Sequence, residues 1–207
     1  MLFGFLKTKV HRTRHHVIVM AFAVVLVLLA CLAWYYNTVT IVWEADTASV
    51  ETVAVSQFVR SNPIRLEISA LNLDTSFVLP LGLMPDQTVS VPDSYDQVGW
   101  YEGGATPGEI GPAVILGHVD SADGPAVFYP LGQLKVGEEI KITRADGTTA
   151  VFVVKKLKRY PQSNFPTLDV YGPTDTPTLR LVTCSGLFNK AKQQYSHNLV
   201  VFAELKE

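Results

Sequence analysis

TLRLVTC, residues 178–184, is a short apolar and β-branched run that ends on a cysteine and gives way at once to Ser185-Gly186. Its length, its composition and the turn-forming Gly that closes it read as a β-strand rather than a helix. The same pattern recurs outward in both directions, at Ile64–Ile68, Ser76–Leu79, Ala113–His118, Glu139–Arg144, Ala150–Tyr160 and Leu199–Leu205. Between the runs stand Pro85-Asp86, Pro107-Gly108, Gly111-Pro112, Asp146-Gly147 and Gly172-Pro173, all of them turn formers. Asp146-Gly147 between two runs predicts a hairpin with a type I′ turn. Many short strands with a single helical candidate, over residues 126–133, predict an all-β barrel or sandwich.

The chain has 207 residues, with 17 Lys+Arg against 19 Asp+Glu and a net charge of −2. That balance excludes a general nucleic-acid binder, which needs a strongly basic face. With 48% hydrophobic and 17% charged residues the chain is not disordered. Two cysteines are too few for a disulfide scaffold or for most structural zinc sites. No phosphate-binding Gly loop, zinc motif or calcium loop is present, so no cofactor and no metal site is predicted.

The excess hydrophobicity is local. Residues 1–16 carry Lys7, Lys9, Arg12 and Arg14 and no acid, and residues 17–36 carry no charge at all. A helix of ~20 apolar residues spans a bilayer, and Trp34, Tyr35 and Tyr36 would lie in the headgroup layer at its far end. The basic flank predicts a cytoplasmic N-terminus (1–16), a transmembrane anchor (17–36), a connector (37–62) and an extracellular domain (63–207). Two alternatives stay open. Leu28-Leu29-Ala30-Cys31 resembles a lipobox, and the whole segment can be read as a cleaved signal peptide. Val50, Val53, Ala54 and Phe58 have helical spacing, so the connector is expected to hold a short amphipathic helix.

Outside the apolar segment there is one cysteine, Cys184, and two histidines after residue 16, His118 and His197. Cys31 lies within that segment and is not expected to pair with Cys184. A lone thiol can be an inert core residue. Here Cys184 and His118 both end strand-like runs, so they can meet at one rim of a barrel. There an imidazole can manage the proton of a nucleophilic thiol.

GHVDSADGPAVFYPLGQL (residues 117–134), LRLVTCSG and YSHNLVVFA, in this order and spacing, resemble the sortase family, and GWYEGGATPGEIGPAVILGHVD and FPTLDVYG resemble its class F subgroup. The resemblance covers roughly residues 63–205. It implies a closed eight-stranded β-barrel with short helices, anchored on the outer face of the cell membrane. It implies a cysteine transpeptidase that cleaves an LPXTG-type C-terminal sorting signal through a Cys thioester. The acyl group then passes to an amine, such as one on a peptidoglycan precursor or a surface protein. By motif, Cys184 is the nucleophile, His118 the proton donor or acceptor, and Thr183 a residue that helps orient substrate.

One part of the family pattern is absent. Class F sequences often read Tyr-Arg-Asp-Asn near the last strand, where this chain reads Tyr195-Ser196-His197-Asn198, and no Arg follows Arg180. His197 and Asn198 are the remaining candidate donors to substrate or oxyanion, each without the paired donors of a guanidinium. Arg180, four residues before Cys184, is ~13 Å away along a strand and is not expected to replace it. The missing Arg keeps two other functions open: a sortase-like module that binds peptide without turnover, and a Cys-dependent hydrolase. Asp120, two residues after His118, and the basic run Lys155, Lys156, Lys158 and Arg159 read respectively as a turn residue and a solvated strand.

Overall fold

The computed structural model describes residues 20, 22–37, 58–78 and 80–206. The chain divides into two compact units, Met1–Val53 and Ala54–Glu207. In the first, residues 22–37 are helical and exposed. Among the described residues no helix is long and apolar enough to cross a membrane. The transmembrane helix expected over 17–36 is not shown as such, since residues 17–19 and 21 lie outside the described residues. Most of the expected connector helix, at residues 50–57, lies outside them as well, and Phe58 is not helical.

The second unit is built on one eight-stranded sheet. Its strands are β1 (Pro63–Ile68), β2 (Leu73–Ser76), β3 (Gly99–Trp100), β4 (Gly111–Leu116), β7 (Glu139–Arg144), β8 (Thr149–Pro161), β9 (Pro177–Asn189) and β10 (Gln194–Leu205). They lie in the order β2-β1-β7-β8-β10-β9-β4-β3. Two short strands, β5 (Asp120–Ser121) and β6 (Gly124–Pro125), pair with each other apart from it. All neighbours in the sheet are antiparallel except β4 and β9, which run parallel from Gly111↔Pro177 to Leu116↔Val182.

The sheet curls but does not close, which corrects the expected closed barrel. β2 has four residues and β3 two, and no ladder joins them. Among the described residues only isolated bridges, Phe77↔Val98 and Leu81↔Tyr101, cross the gap. Pro80, which has no N–H for a ladder, stands where a longer β2 would continue. The expected strand at 76–79 is thus displaced to Leu73–Ser76, and only the Tyr129–Gln133 part of the expected helix is helical, as a 3-10 turn.

Side-chain alternation explains why the strands around Cys184 are so apolar. Ala113, Ile115, Leu179, Leu181, Leu199 and Val201 enter the inner core with Phe128 and Phe152. Val114, Leu116, Val182, Val200 and Phe202 face the other side and join a second cluster with Tyr160 and Val170. Val170 lies on a short helix, α1 (Thr167–Tyr171). With both faces covered, β4 is buried throughout, and its sequence runs apolar without alternation.

The β7–β8 hairpin forms as expected but with a different turn. Gly147 has φ +82° while Asp146 is not in the positive-φ region. Gly147 N–H donates to Arg144 O at 3.0 Å, and Thr148 N–H to Asp146 Oδ1 at 2.9 Å. This is a type I turn followed by a left-handed glycine, the usual three-residue hairpin loop. The side chain of Asp146, which caps Thr148, favours it over type I′.

Candidate active site

The parallel register of β4 and β9 sets the site. Leu116 is opposite Val182, so two residues further on His118, just past the end of β4, and Cys184, still within β9, both reach one cleft. Gly117 N–H donates to Val182 O at 3.2 Å, and the Thr183 hydroxyl donates to Gly117 O at 2.8 Å. These two bonds tie the residue before His118 to the residues before Cys184. Gly117 also admits Phe128 to the inner core, because a Cβ there would stand 2.6 Å from Phe128 Cδ2.

β10 supplies the third wall. Asn198 is the ladder partner of Cys184, so the two side chains project from the same face. Just beyond, β9 gains a residue: Tyr195 pairs with Phe188 but His197 with Ser185. Gly186 takes the resulting kink with φ +84°, and a Cβ on it would lie 2.4 Å from Ser196 Oγ.

His118, Cys184, Thr183 and Asn198 all line one cleft of about 730 Å³ on the outer face of the sheet. Sequence reasoning put this meeting at the rim of a closed barrel, but the cleft runs along the sheet face and is walled by residues of the 83–92 loop and of α1. Leu83, Val89, Leu116, Val182, Phe165 and Tyr171 make much of that wall apolar. Burial, with Tyr101 as a lesser cause, pushes the Tyr171 hydroxyl up to about 12.

His118 Nε2 lies 2.8 Å from the carbonyl of Pro92, and its ring packs at 4.6 Å on Tyr95. A carbonyl can only accept, so Nε2 carries the proton and Nδ1 is the nitrogen left for proton exchange. Cys184 is a half-buried free thiol. Burial, and secondarily the Asp120 carboxylate, push it above its ordinary value, so the neutral thiol predominates at rest. Asp120 in turn accepts a short hydrogen bond from the Tyr195 hydroxyl, which is pushed up to about 12 chiefly by that bond.

The other candidates lie as follows. Thr183 is buried and its hydroxyl proton is committed to Gly117. His197 accepts or donates through Nδ1 to Ser196 Oγ at 2.8 Å and does not line the cleft. Asn198 Oδ1 accepts from Gln162 Nε2 at 3.1 Å, inside the cleft. Arg180 is buried on Phe202, 4.6 Å from the ring centroid, and donates to Leu179 O at 3.1 Å, outside the cleft. Among the described residues that line the cleft none is Arg or Lys. Among the described residues no group of three or more His, Cys, Asp or Glu is placed to hold a metal ion.

Sequence reasoning missed Gln162, Tyr195 and the 83–95 loop. Gln162 had a signal: it directly follows β8, whose Tyr160 pairs with Asn198. The loop had none, because its residues meet the site only through long-range packing.

A sortase-domain family model matches residues 66–206. No curated protein sequence matches. Among solved structures, a lid mutant of sortase A from Corynebacterium diphtheriae matches with TM-score 0.54 and 20% identity, covering 73% of each chain. Sortase C1 from Streptococcus agalactiae matches with TM-score 0.53 and 16% identity over 77% of this chain and 71% of that one. Sortase C-1 from Actinomyces oris gives 0.52 and 19% over 70% and 76%. At these identities the solved structures speak for the fold.

Proposed function

The chain belongs to the sortase family, whose members are in general cysteine transpeptidases, and on that premise we propose that Cys184 and His118 carry out acyl transfer from an LPXTG-type sorting signal to an amine. The observation that carries this reading is the shared cleft, in which the strand register brings a free thiol and an imidazole together. His118 Nδ1 takes the thiol proton as Cys184 Sγ attacks the carbonyl carbon of the scissile Thr–Gly bond. A tetrahedral oxyanion forms, the C–N bond breaks, and His118 returns the proton to the leaving amine. The incoming amine then attacks the thioester, passes its proton to His118, and the thiolate leaves. Because the thiol is held above its ordinary value, proton removal accompanies attack rather than preceding it.

The motifs quoted above support the class F subgroup as the finer placement. The uncharged stretch 17–36 and its basic flank support a single-pass anchor, with a cytoplasmic N-terminus and an extracellular domain from about residue 63. The partners of this reading are a protein with a C-terminal sorting signal and an amine such as a peptidoglycan precursor.

The lack, among the described residues, of any Arg or Lys lining the cleft favours a second reading, a peptide-binding module with little or no turnover. Incubating the protein with LPXTG-type peptides and an oligoglycine amine, and analysing products by mass spectrometry, separates them. An amide product lost in Cys184→Ala supports transfer. Hydrolysis indifferent to the amine supports a hydrolase, and peptide binding without product supports the module. Neither binding nor product overturns all three.

A further inference from the structure

We infer that Gln162 is a positioning residue that orients the Asn198 carboxamide so that its N–H groups, not its oxygen, face Cys184. The inference rests on the acyl-transfer reading of the site. A carboxamide is planar and nearly symmetric in shape, with an acceptor at one end and two donors at the other. Next to a thiolate or an oxyanion the two orientations have opposite signs, so something must choose between them. Asn198 stands opposite Cys184 in the ladder, and its Oδ1 accepts from Gln162 Nε2 at 3.1 Å. Gln162 begins the 3-10 turn Gln162–Asn164 at the end of β8, held next to β10 by the pairs Tyr160↔Asn198 and Pro161↔His197. With the oxygen engaged by Gln162, the amino group, which makes no hydrogen bond among the described residues, is left to donate.

This arrangement gives a site without a cationic side chain a fixed neutral donor. Arg180 does not compensate, because its guanidinium is engaged at the Leu179 carbonyl and Phe202. His197 does not either, because it lies outside the cleft.

The test is a double-mutant cycle in the full-length chain in detergent. Gln162→Glu is isosteric but can only accept, so it draws the Asn198 amino group to itself and turns Oδ1 toward Cys184. The expected result is that Gln162→Glu and Asn198→Ala each lower kcat of peptide transfer by about 10²-fold with little change in KM, the size of one lost oxyanion donor. In the Asn198→Ala background Gln162→Glu has no further effect. A second readout does not need turnover: iodoacetamide alkylation of Cys184, resolved from Cys31 by peptide mass spectrometry. Gln162→Glu should slow it about fivefold in the parent, the worth of one ordinary hydrogen bond, and not in Asn198→Ala. Parental behaviour of Gln162→Glu in both readouts overturns the inference, and so does an equal loss in the Asn198→Ala background, which marks a charge or folding effect. Absence of any Cys184-dependent product in the parent overturns the transfer reading instead, while the alkylation cycle still decides the role of Gln162.

Discussion

Replacing Thr183 by Val tests whether the site depends on the tie between β9 and the chain ahead of His118. Thr183 is 4% exposed, and its hydroxyl donates to the Gly117 carbonyl at 2.8 Å. Val keeps the shape and puts a methyl where the donor was. A buried carbonyl that loses its donor costs about 1–3 kcal/mol. For a unit of this size each kcal/mol lowers Tm by about 2–4 °C, so a fall of about 2–12 °C is expected. The same loss leaves residue 117 held by its N–H alone and loosens the placement of the His118 ring. A misplacement of about 1 Å costs on the order of 10²-fold in rate, so kcat should fall by about 10- to 10²-fold while KM changes little. Thermal melts by circular dichroism and steady-state peptide transfer read the two effects, and Thr183→Ser, which keeps the donor, should restore both. Parental Tm and kcat in Thr183→Val would refute the tie. A fall in kcat at unchanged Tm would instead make the hydroxyl a substrate donor.

Three further outcomes are expected. Asp120→Asn removes a negative charge that raises the Cys184 thiol, so the pH profile of Cys184 alkylation should move to lower pH. Because burial is the larger cause and remains, the profile should stay above that of an exposed thiol. In the same variant the Tyr195 hydroxyl, freed from the carboxylate that holds it up, should titrate below about 12 by ultraviolet absorbance. Arg144 is 1% exposed and holds Thr148 Oγ1 at 3.0 Å, the Val59 carbonyl and Asp146 Oδ2 at 3.3 Å, so Arg144→Met should destabilise the fold by about 1.5–3 kcal/mol in urea unfolding without altering Cys184 alkylation.

The central strands were legible because their residues answer to local rules. Apolar, β-branched runs at 113–118, 139–144, 150–160 and 178–184 fall on β4, β7, β8 and β9, with shifted ends. β9 and β10 run further than their apolar cores, into Leu187, Phe188 and Gln194, because strand pairing continues beyond the buried part. Closure of the barrel was not legible. It depends on whether β2 and β3 are long enough to pair, and among the described residues only single bridges form there. His118 and Cys184 stood out as the rare residues that end apolar runs, and the β4–β9 register, a non-local fact, brings them into one cleft. Asn198 was visible as a candidate. Its orientation was not, since that depends on Gln162, 36 residues away in the chain.

The most direct test of the account is intact-mass spectrometry of the full-length protein mixed briefly with an LPXTG-type peptide and no amine. The account predicts a thioester adduct of the peptide's acyl mass on Cys184 that added amine discharges, absent in Cys184→Ala and greatly reduced in a folded His118→Ala variant. An adduct that persists in Cys184→Ala, or amide product formed at the parental rate in His118→Ala, would contradict it.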